Sequence, residues 1–207
     1  MEQVDFFDEN YVRQGVTTRP EALEKGLWLH SFHCWVARPC ARSLLVQRRS
    51  SEKALFPGML DITAAGHLMV GESVADGIRE VHEELGVSDI AFDRLVPLGI
   101  KLDVARIGDK RTRHFAHVFL LADDRPPAAY RPQESELSGL VEISVAEGLS
   151  LFSGRTAQVP AWEWNLAGDA MKTCVSAADF IPRIDPYYYK IFILAHRLFC
   201  GERHLAI

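Results

Sequence analysis

Three glutamates at helical spacing are the residues of this chain best placed to do chemistry. In the run Arg79-Glu80-Val81-His82-Glu83-Glu84-Leu85-Gly86-Val87, a helix puts Glu80 one turn from both Glu83 and Glu84. Like charges at that spacing repel, so the arrangement is locally unfavourable unless cations occupy the face. A solvated acidic helix face is the ordinary explanation for such a cluster. The sharper one is a site for Mg²⁺, which prefers oxygen ligands and is held by a few carboxylates together with substrate phosphates. Diphosphate cleavage uses such an ion to neutralise phosphate charge, stabilise leaving oxygens and lower the pKa of an attacking water.

The surrounding residues favour the sharper explanation. From Gly66 to Val87 the chain resembles the Nudix box, which has a glycine, then a glutamate, and ends in Arg-Glu-apolar-any-Glu-Glu-any-Gly-apolar. The end matches at Arg79, Glu80, Val81, Glu83, Glu84, Gly86 and Val87. Its five fixed residue types should coincide by chance roughly once in a million positions. One departure stands out: six residues separate Glu72 from Arg79, where the usual spacing is seven. The resemblance implies that Glu80, Glu83 and Glu84 bind Mg²⁺, or Mn²⁺ in its place. It also implies a catalytic set of Glu83, Glu84 and Arg79, with Arg79 orienting the glutamates rather than touching substrate. Gly66 and Gly86 would be structural, allowing the loop and ending the helix.

Outside the box, residues 26–33, Gln47-Arg48-Arg49-Ser50, Phe56-Pro57-Gly58 and the stretch 61–67 are similar to the Nudix branch related to isopentenyl-diphosphate isomerase. That enzyme needs a cysteine just before the Gly-His pair and glutamates on a later strand. Here the cysteine position holds Ala65, and the glutamate positions hold Thr112 and His114. With the proton donor and acceptor gone and the box complete, the expected reaction is hydrolysis. The alternatives are an isomerase-like enzyme and a non-catalytic ligand sensor, although a sensor has no need of a complete glutamate set.

By the same resemblance Arg49 and Lys53 would bind the diphosphate, for which charge-assisted hydrogen bonds suit them. A basic hairpin edge that deters aggregation is the plainer role for the pair. His30 and His67 correspond to histidines that help hold a second metal in the isomerase, but without the strand glutamates such a site is incomplete. His114 and His117 lie three apart on one strand and face opposite sides. For the general base, Glu83 within the box and the loop acids Glu134 and Glu136 are the candidates. Trp28, Trp35, Trp162 and Trp164 could stack on a base, although aromatics are more often core.

These residues need elements to hold them. Residues 29–37 and 44–48 read as paired strands joined by a turn at 38–42, and 59–65 as a short apolar strand ending at Gly66. Residues 73–85 read as a helix capped by Ser73, buried through Val74, Ile78, Val81 and Leu85, and stopped by Gly86. Strands follow at 114–121 and 140–145, with a proline-rich loop at 122–132 between them. Residues 153–182 give no clear pattern. A final helix spans 186–200, with Asp185 as cap, Pro186 at its first position, and a buried face of Ile191, Phe192, Leu194, Ala195, Leu198 and Phe199. That helix would cover the sheet or form a subunit contact, which leaves a homodimer open.

The expected fold is therefore α/β: a Nudix-type α/β/α sandwich on a mixed β-sheet. The 207 residues suit one domain over 1–207, with a core at about 27–150 and a C-terminal extension. Hydrophobic residues make up 48% and the net charge is −5, which argues for a substantial core and against nucleic-acid polymers as partners. No apolar run approaches a membrane span, and Met1-Glu2-Gln3-Val4-Asp5 is acidic and unlike a signal peptide. Four scattered cysteines suit free thiols in a cytoplasmic protein. The expected activity is Mg²⁺-dependent cleavage of a diphosphate linkage in a nucleoside diphosphate derivative or similar small organic diphosphate.

Overall fold

The computed structural model describes residues 3–207; Met1 and Glu2, part of the acidic N-terminal stretch, lie outside the described residues. The chain opens with an antiparallel hairpin, β1 (Gln3–Phe7) and β2 (Arg13–Thr18), and a short helix α1 (Arg19–Lys25). The Thr18 side chain accepts from the Glu21 N–H to start α1, and Gly26 in the left-handed region ends it. None of these three elements shows a clear hydrophobic period in the sequence.

β3 (Trp28–Arg38) and β4 (Ser43–Arg49) follow as expected. The expected strand at 59–65 is instead two pieces, β5 (Leu60–Asp61) and β6 (Ala64–His67). They separate because they pair with different strands. β5 pairs with β4 through Gln47 and Asp61, and β6 pairs with β3 from Ser31–His67 to Cys34–Ala64. Thr63 at the break is fully buried, and its hydroxyl accepts from the Val36 N–H and donates to the Leu45 carbonyl.

The expected helix at 73–85 is α-helical only in its second part, α2 (Ile78–Leu85). Before it, Val74–Gly77 form a 3₁₀ turn closed by Ser73 and Asp76, whose carboxylate accepts from both the N–H and the hydroxyl of Ser73. The tight entry brings the backbone onto Phe32: a Cβ on Gly77 would lie 2.6 Å from that ring. Gly86 ends α2 in the left-handed conformation, as expected.

Next come β7 (Leu95–Ile107) and β8 (Lys110–Ala122), a long hairpin. β7 escapes a periodicity reading because Pro97 and Gly99 flank a bulge near its start. β9 (Leu137–Ser144) leads into α3 (Val145–Phe152). The stretch without pattern holds a second hairpin, β10 (Gln158–Asn165) and β11 (Ala170–Ser176), before α4 (Tyr187–Phe199). Pro186 occupies the cap of α4 rather than its first turn, and Asp185 does not cap it. The Asp185 carboxylate pairs instead with Lys101 at 3.2 Å and Lys190 at 3.5 Å.

Among the described residues, eleven strands join one mixed sheet, ordered β11-β10-β9-β4-β3-β1-β2, with β8 parallel to β3 and β7 along the outer edge of β8. On one face α2 packs over Phe32, Val36, Leu45, Ala64 and Leu68. On the other, α3 and α4 cover Trp35, Leu44, Val46, Val118 and Val141. This is the expected sandwich. Val81 and Leu85, fully buried, each contribute about 1.5–3 kcal/mol to anchoring α2. β3 meets β4 only at Val36–Arg38; nearer its start, the pairing beside β3 is taken by β6. The sheet forks there, and the fork opens under α2.

Candidate active site

α2 buries Val81 and Leu85 and turns Glu80, Glu83 and Glu84 into a cavity of about 440 Å³ at the fork. Glu84 is 6% exposed. It accepts from the Ala65 N–H at 2.9 Å and the Gln47 amide at 3.3 Å. Burial outweighs that N–H and pushes its pKa up to about 8. Burial likewise raises Glu80 to about 7, against the neighbouring Arg79. The Glu80 carboxyl rests on Gly66, where any Cβ would overlap its carboxyl carbon. Gly66 is required here for close approach rather than for its backbone angles. Glu83, about half exposed, reaches Arg79 at 3.1 Å.

Arg79 ties the acidic groups together. Its guanidinium lies 3.0 Å from Glu80, 3.1 Å from Glu83, and 3.1 and 3.2 Å from the two oxygens of Glu72. Its geometry suits orienting glutamates. Despite the shortened spacing, Glu72 still meets Arg79, and it closes its own loop by accepting from the Met69 N–H at 2.7 Å.

As these side chains stand, no three His, Cys, Asp or Glu groups among the described residues converge closely enough to hold a metal ion; the Arg79 guanidinium lies among three of the carboxylates instead. The donors nevertheless fit a hard divalent cation. All are oxygens, and Glu84 is buried with only a neutral amide and one N–H as hydrogen-bond partners. Such a carboxylate is held protonated until positive charge arrives.

Arg49 and Lys53 line the same cavity. Arg49 donates twice to the Leu55 carbonyl, at 3.0 and 3.2 Å, and stands 4.0 Å from Asp61. Lys53 is ion-paired with Glu136, which also lines the cavity; Glu134 does not. The histidines divide between the two faces of the sheet. His67 and His114 meet at 3.2 Å in the cavity wall, while His30 and His117 both contact the Tyr11 hydroxyl on the opposite side. His30 and His67 therefore do not share a site.

Sequence reasoning missed the charged floor of the cavity. Arg183, from the segment before α4, donates to Asp103 at 2.6 Å and to Asp61 at 2.7 Å. Lys101 binds the other oxygen of Asp103 at 2.7 Å, and the two cations hold the Asp103 carboxyl well below the usual carboxylate range despite its burial. Asp61, Asp103 and Arg183 come from three distant segments with no common motif. Their burial and their pairing are set by the fold, so no local pattern in the sequence marks them.

The geometry agrees with what the chain is similar to. A family model described as the NUDIX domain matches residues 29–162. An uncharacterized Nudix hydrolase of Clostridium acetobutylicum is 34% identical over 201 residues, covering 94% of this chain and 96% of the relative. Nudix hydrolase 3 of Arabidopsis thaliana is 29% identical over 73% of this chain, a match spanning 20% of the plant protein. Among solved structures, DR0079 of Deinococcus radiodurans superposes with a TM-score of 0.57 at 22% identity, covering 74% of this chain and 90% of that one, a likeness of fold.

The chain belongs to the Nudix hydrolase family, whose members are pyrophosphohydrolases that generally cleave pyrophosphate bonds in small nucleoside diphosphate derivatives with a divalent metal. Among the described residues no helix is long and apolar enough to cross a membrane.

Proposed function

We propose that this enzyme hydrolyses the anhydride of a nucleoside diphosphate derivative or similar small organic diphosphate, with Mg²⁺, or Mn²⁺ in its place, bound by Glu80, Glu83 and Glu84. The observation that carries the reading is the pair Glu80 and Glu84: one half-buried and one buried acidic group, raised to about 7 and 8 and turned into one cavity. Burying two like acids side by side is costly, and occupation of the cavity by a cation offsets the cost. When bound, the ion would neutralise phosphate charge and make water a better nucleophile.

The protein's own groups do the positioning. The Ala65 N–H and the Gln47 amide fix the Glu84 carboxyl, and Gly66 lets Glu80 approach β6. Arg79 sets the rotamers of Glu80 and Glu83. Arg49 and Lys53 would neutralise the diphosphate, Lys53 exchanging its bond to Glu136 for one to phosphate. That exchange frees Glu136 in the cavity, which makes it the loop acid best placed to take a proton from water. Glu83 and Glu84, with Arg79, complete the catalytic set.

Isomerisation is disfavoured by Ala65, whose methyl group can neither donate nor accept a proton where the isomerase has its cysteine. We treat residues 1–207 as one domain, since β10 and β11 extend the sheet and α4 completes its core. A cytoplasmic location suits the four unpaired cysteines. The test is a panel of nucleoside di- and triphosphates, nucleotide sugars, dinucleotides and organic diphosphates, assayed with Mg²⁺ and with a chelator for release of phosphate, pyrophosphate or the monophosphate products of anhydride cleavage. Metal-dependent release from at least one diphosphate is expected. Formation of dimethylallyl diphosphate from isopentenyl diphosphate would overturn the reading.

A further inference from the structure

A second cavity, of about 620 Å³, opens directly off the carboxylate cavity. The two share a charged rim that includes Arg49, Asp61, His67, Asp103, His114 and Arg183. Beyond that rim the character of the wall changes. Leu23 of α1, Leu27, Leu55, Phe56, Ala105 of β7 and Ile181 are representative of what lines it. Among the described residues there, the only side chains with hydrogen-bonding atoms are Thr112 and Arg113. The Thr112 hydroxyl donates to the Ala105 carbonyl at 3.4 Å, and the Arg113 guanidinium lies over the Trp28 ring at 5.9 Å.

From this juxtaposition we infer that the group carried on the diphosphate is an aliphatic chain rather than a nucleoside. The inference rests on the proposed diphosphate site. A nucleoside brings ribose hydroxyls and base edges, and burying them without partners is unfavourable. A chain brings only apolar surface, and burial of each methylene favours binding. Phe56 is the one aromatic side chain on the wall beyond the rim, so a sandwich of rings for a base is missing among the described residues there. At roughly 30 Å³ per small group, the space holds about ten carbons even with half of it left to solvent at the mouth.

The 50–58 loop connects the two cavities. Leu55 is 41% exposed, and Phe56 adopts a φ of 52°, a conformation that bulky side chains rarely take. Such backbone strain concentrates at ligand clamps. The Leu55 carbonyl is held by Arg49, the residue proposed to grip phosphate. One loop thus presents apolar side chains to the chain of the substrate while its backbone is tied to the diphosphate end. In the reaction water attacks the terminal phosphorus and the P–O–P bond breaks. Inorganic phosphate and the alkyl monophosphate leave, and the proton lost by water passes to a carboxylate and then to solvent.

The test is calorimetric binding with Mg²⁺, using methylene-bridged diphosphonates whose carbon bridge cannot be hydrolysed. Three are compared: a decyl diphosphonate, the methyl diphosphonate, and the adenosine diphosphonate. The decyl compound is expected to bind at least about tenfold tighter than either of the others, a difference of about 1.4 kcal/mol. Ala105→Phe, which fills the cavity from β7, should erase that preference while leaving methyl diphosphonate affinity unchanged. Equal binding of the decyl and methyl compounds, or tightest binding of the adenosine compound, overturns the inference while leaving the diphosphate site standing. Failure of all three to bind would remove that site and the inference together.

Discussion

Arg183 donates one guanidinium nitrogen to Asp103 at 2.6 Å and the other to Asp61 at 2.7 Å. The pairing fastens the segment before α4 to β5 and β7, directly beneath the carboxylate helix. Removing the guanidinium leaves two buried carboxylates facing each other, so Arg183→Ala should cost about 3–5 kcal/mol. A thermal or urea melt measures it. Arg183→Lys, which keeps the charge but loses the fork, should retain part of the stability. Equal melts for Arg183→Ala and the parent would show that the floor of the site is not held this way.

Replacing Glu83 or Glu84 with glutamine separates chemistry from folding. Glutamine keeps the size and helix propensity of glutamate but loses the charge that would hold a cation. Turnover should fall by several orders of magnitude. Metal-free stability should stay level, or rise for Glu84→Gln, since Glu84 lies near Glu80 in a buried setting. Normal melts with near-parental rates at saturating Mg²⁺ would exclude α2 as the catalytic centre.

Gly66→Ala probes the contact beneath Glu80. Its Cβ would occupy the place of the Glu80 carboxyl, so that side chain must swing away and the backbone must shift. Overpacking of this kind costs about 1–3 kcal/mol. Activity should drop far more than stability, because a carboxylate is displaced as well. Activity assays beside melts of the same preparation decide it, and an unaffected rate would detach Glu80 from function.

The raised carboxyls predict a pH effect with a definite sign. In the fold Glu84 stays protonated up to about 8 and Glu80 to about 7, whereas in the unfolded chain both ionise near 4.5. Between those values these two groups bind fewer protons in the unfolded state, so their contribution to stability falls as pH rises. Burial holds His33, His114 and His117 at about 3 to 4, which acts in the opposite direction below about pH 6.5. Metal-free protein should therefore melt at progressively lower temperature from about pH 7 to pH 8, where the histidines are neutral in both states. Added Mg²⁺, which needs ionised carboxylates, should stabilise most at the upper end. Glu84→Gln should flatten the metal-free profile; a slope unchanged by that substitution would contradict the assignment.

The glutamate helix was legible in the sequence because its information is local. Val81 and Leu85 set the buried face, the same period turns Glu80, Glu83 and Glu84 aside, and Gly86 stops the turn, all within nine residues. β3, β4 and α4 were legible for the same reason, their apolar runs being long enough to specify element and face. Arg49 and Lys53, expected through resemblance rather than spacing, line the same cavity as the glutamates.

Other features depended on pairings distant in the chain. The stretch 59–65 reads as one strand until β3 and β4 each claim part of it, and the resulting fork creates the cavity. Phe32, far from α2 in sequence, decides that Gly77 ends a 3₁₀ turn rather than continuing a helix. The partition of His67 and His114 from His30 and His117 follows from the register of β3 against β6 and β8. Asp61, Asp103 and Arg183 become partners only when β5, β7 and the segment before α4 converge. A local period can specify which face of an element is buried, but a buried charge is stabilised by whatever partner the tertiary fold brings to it.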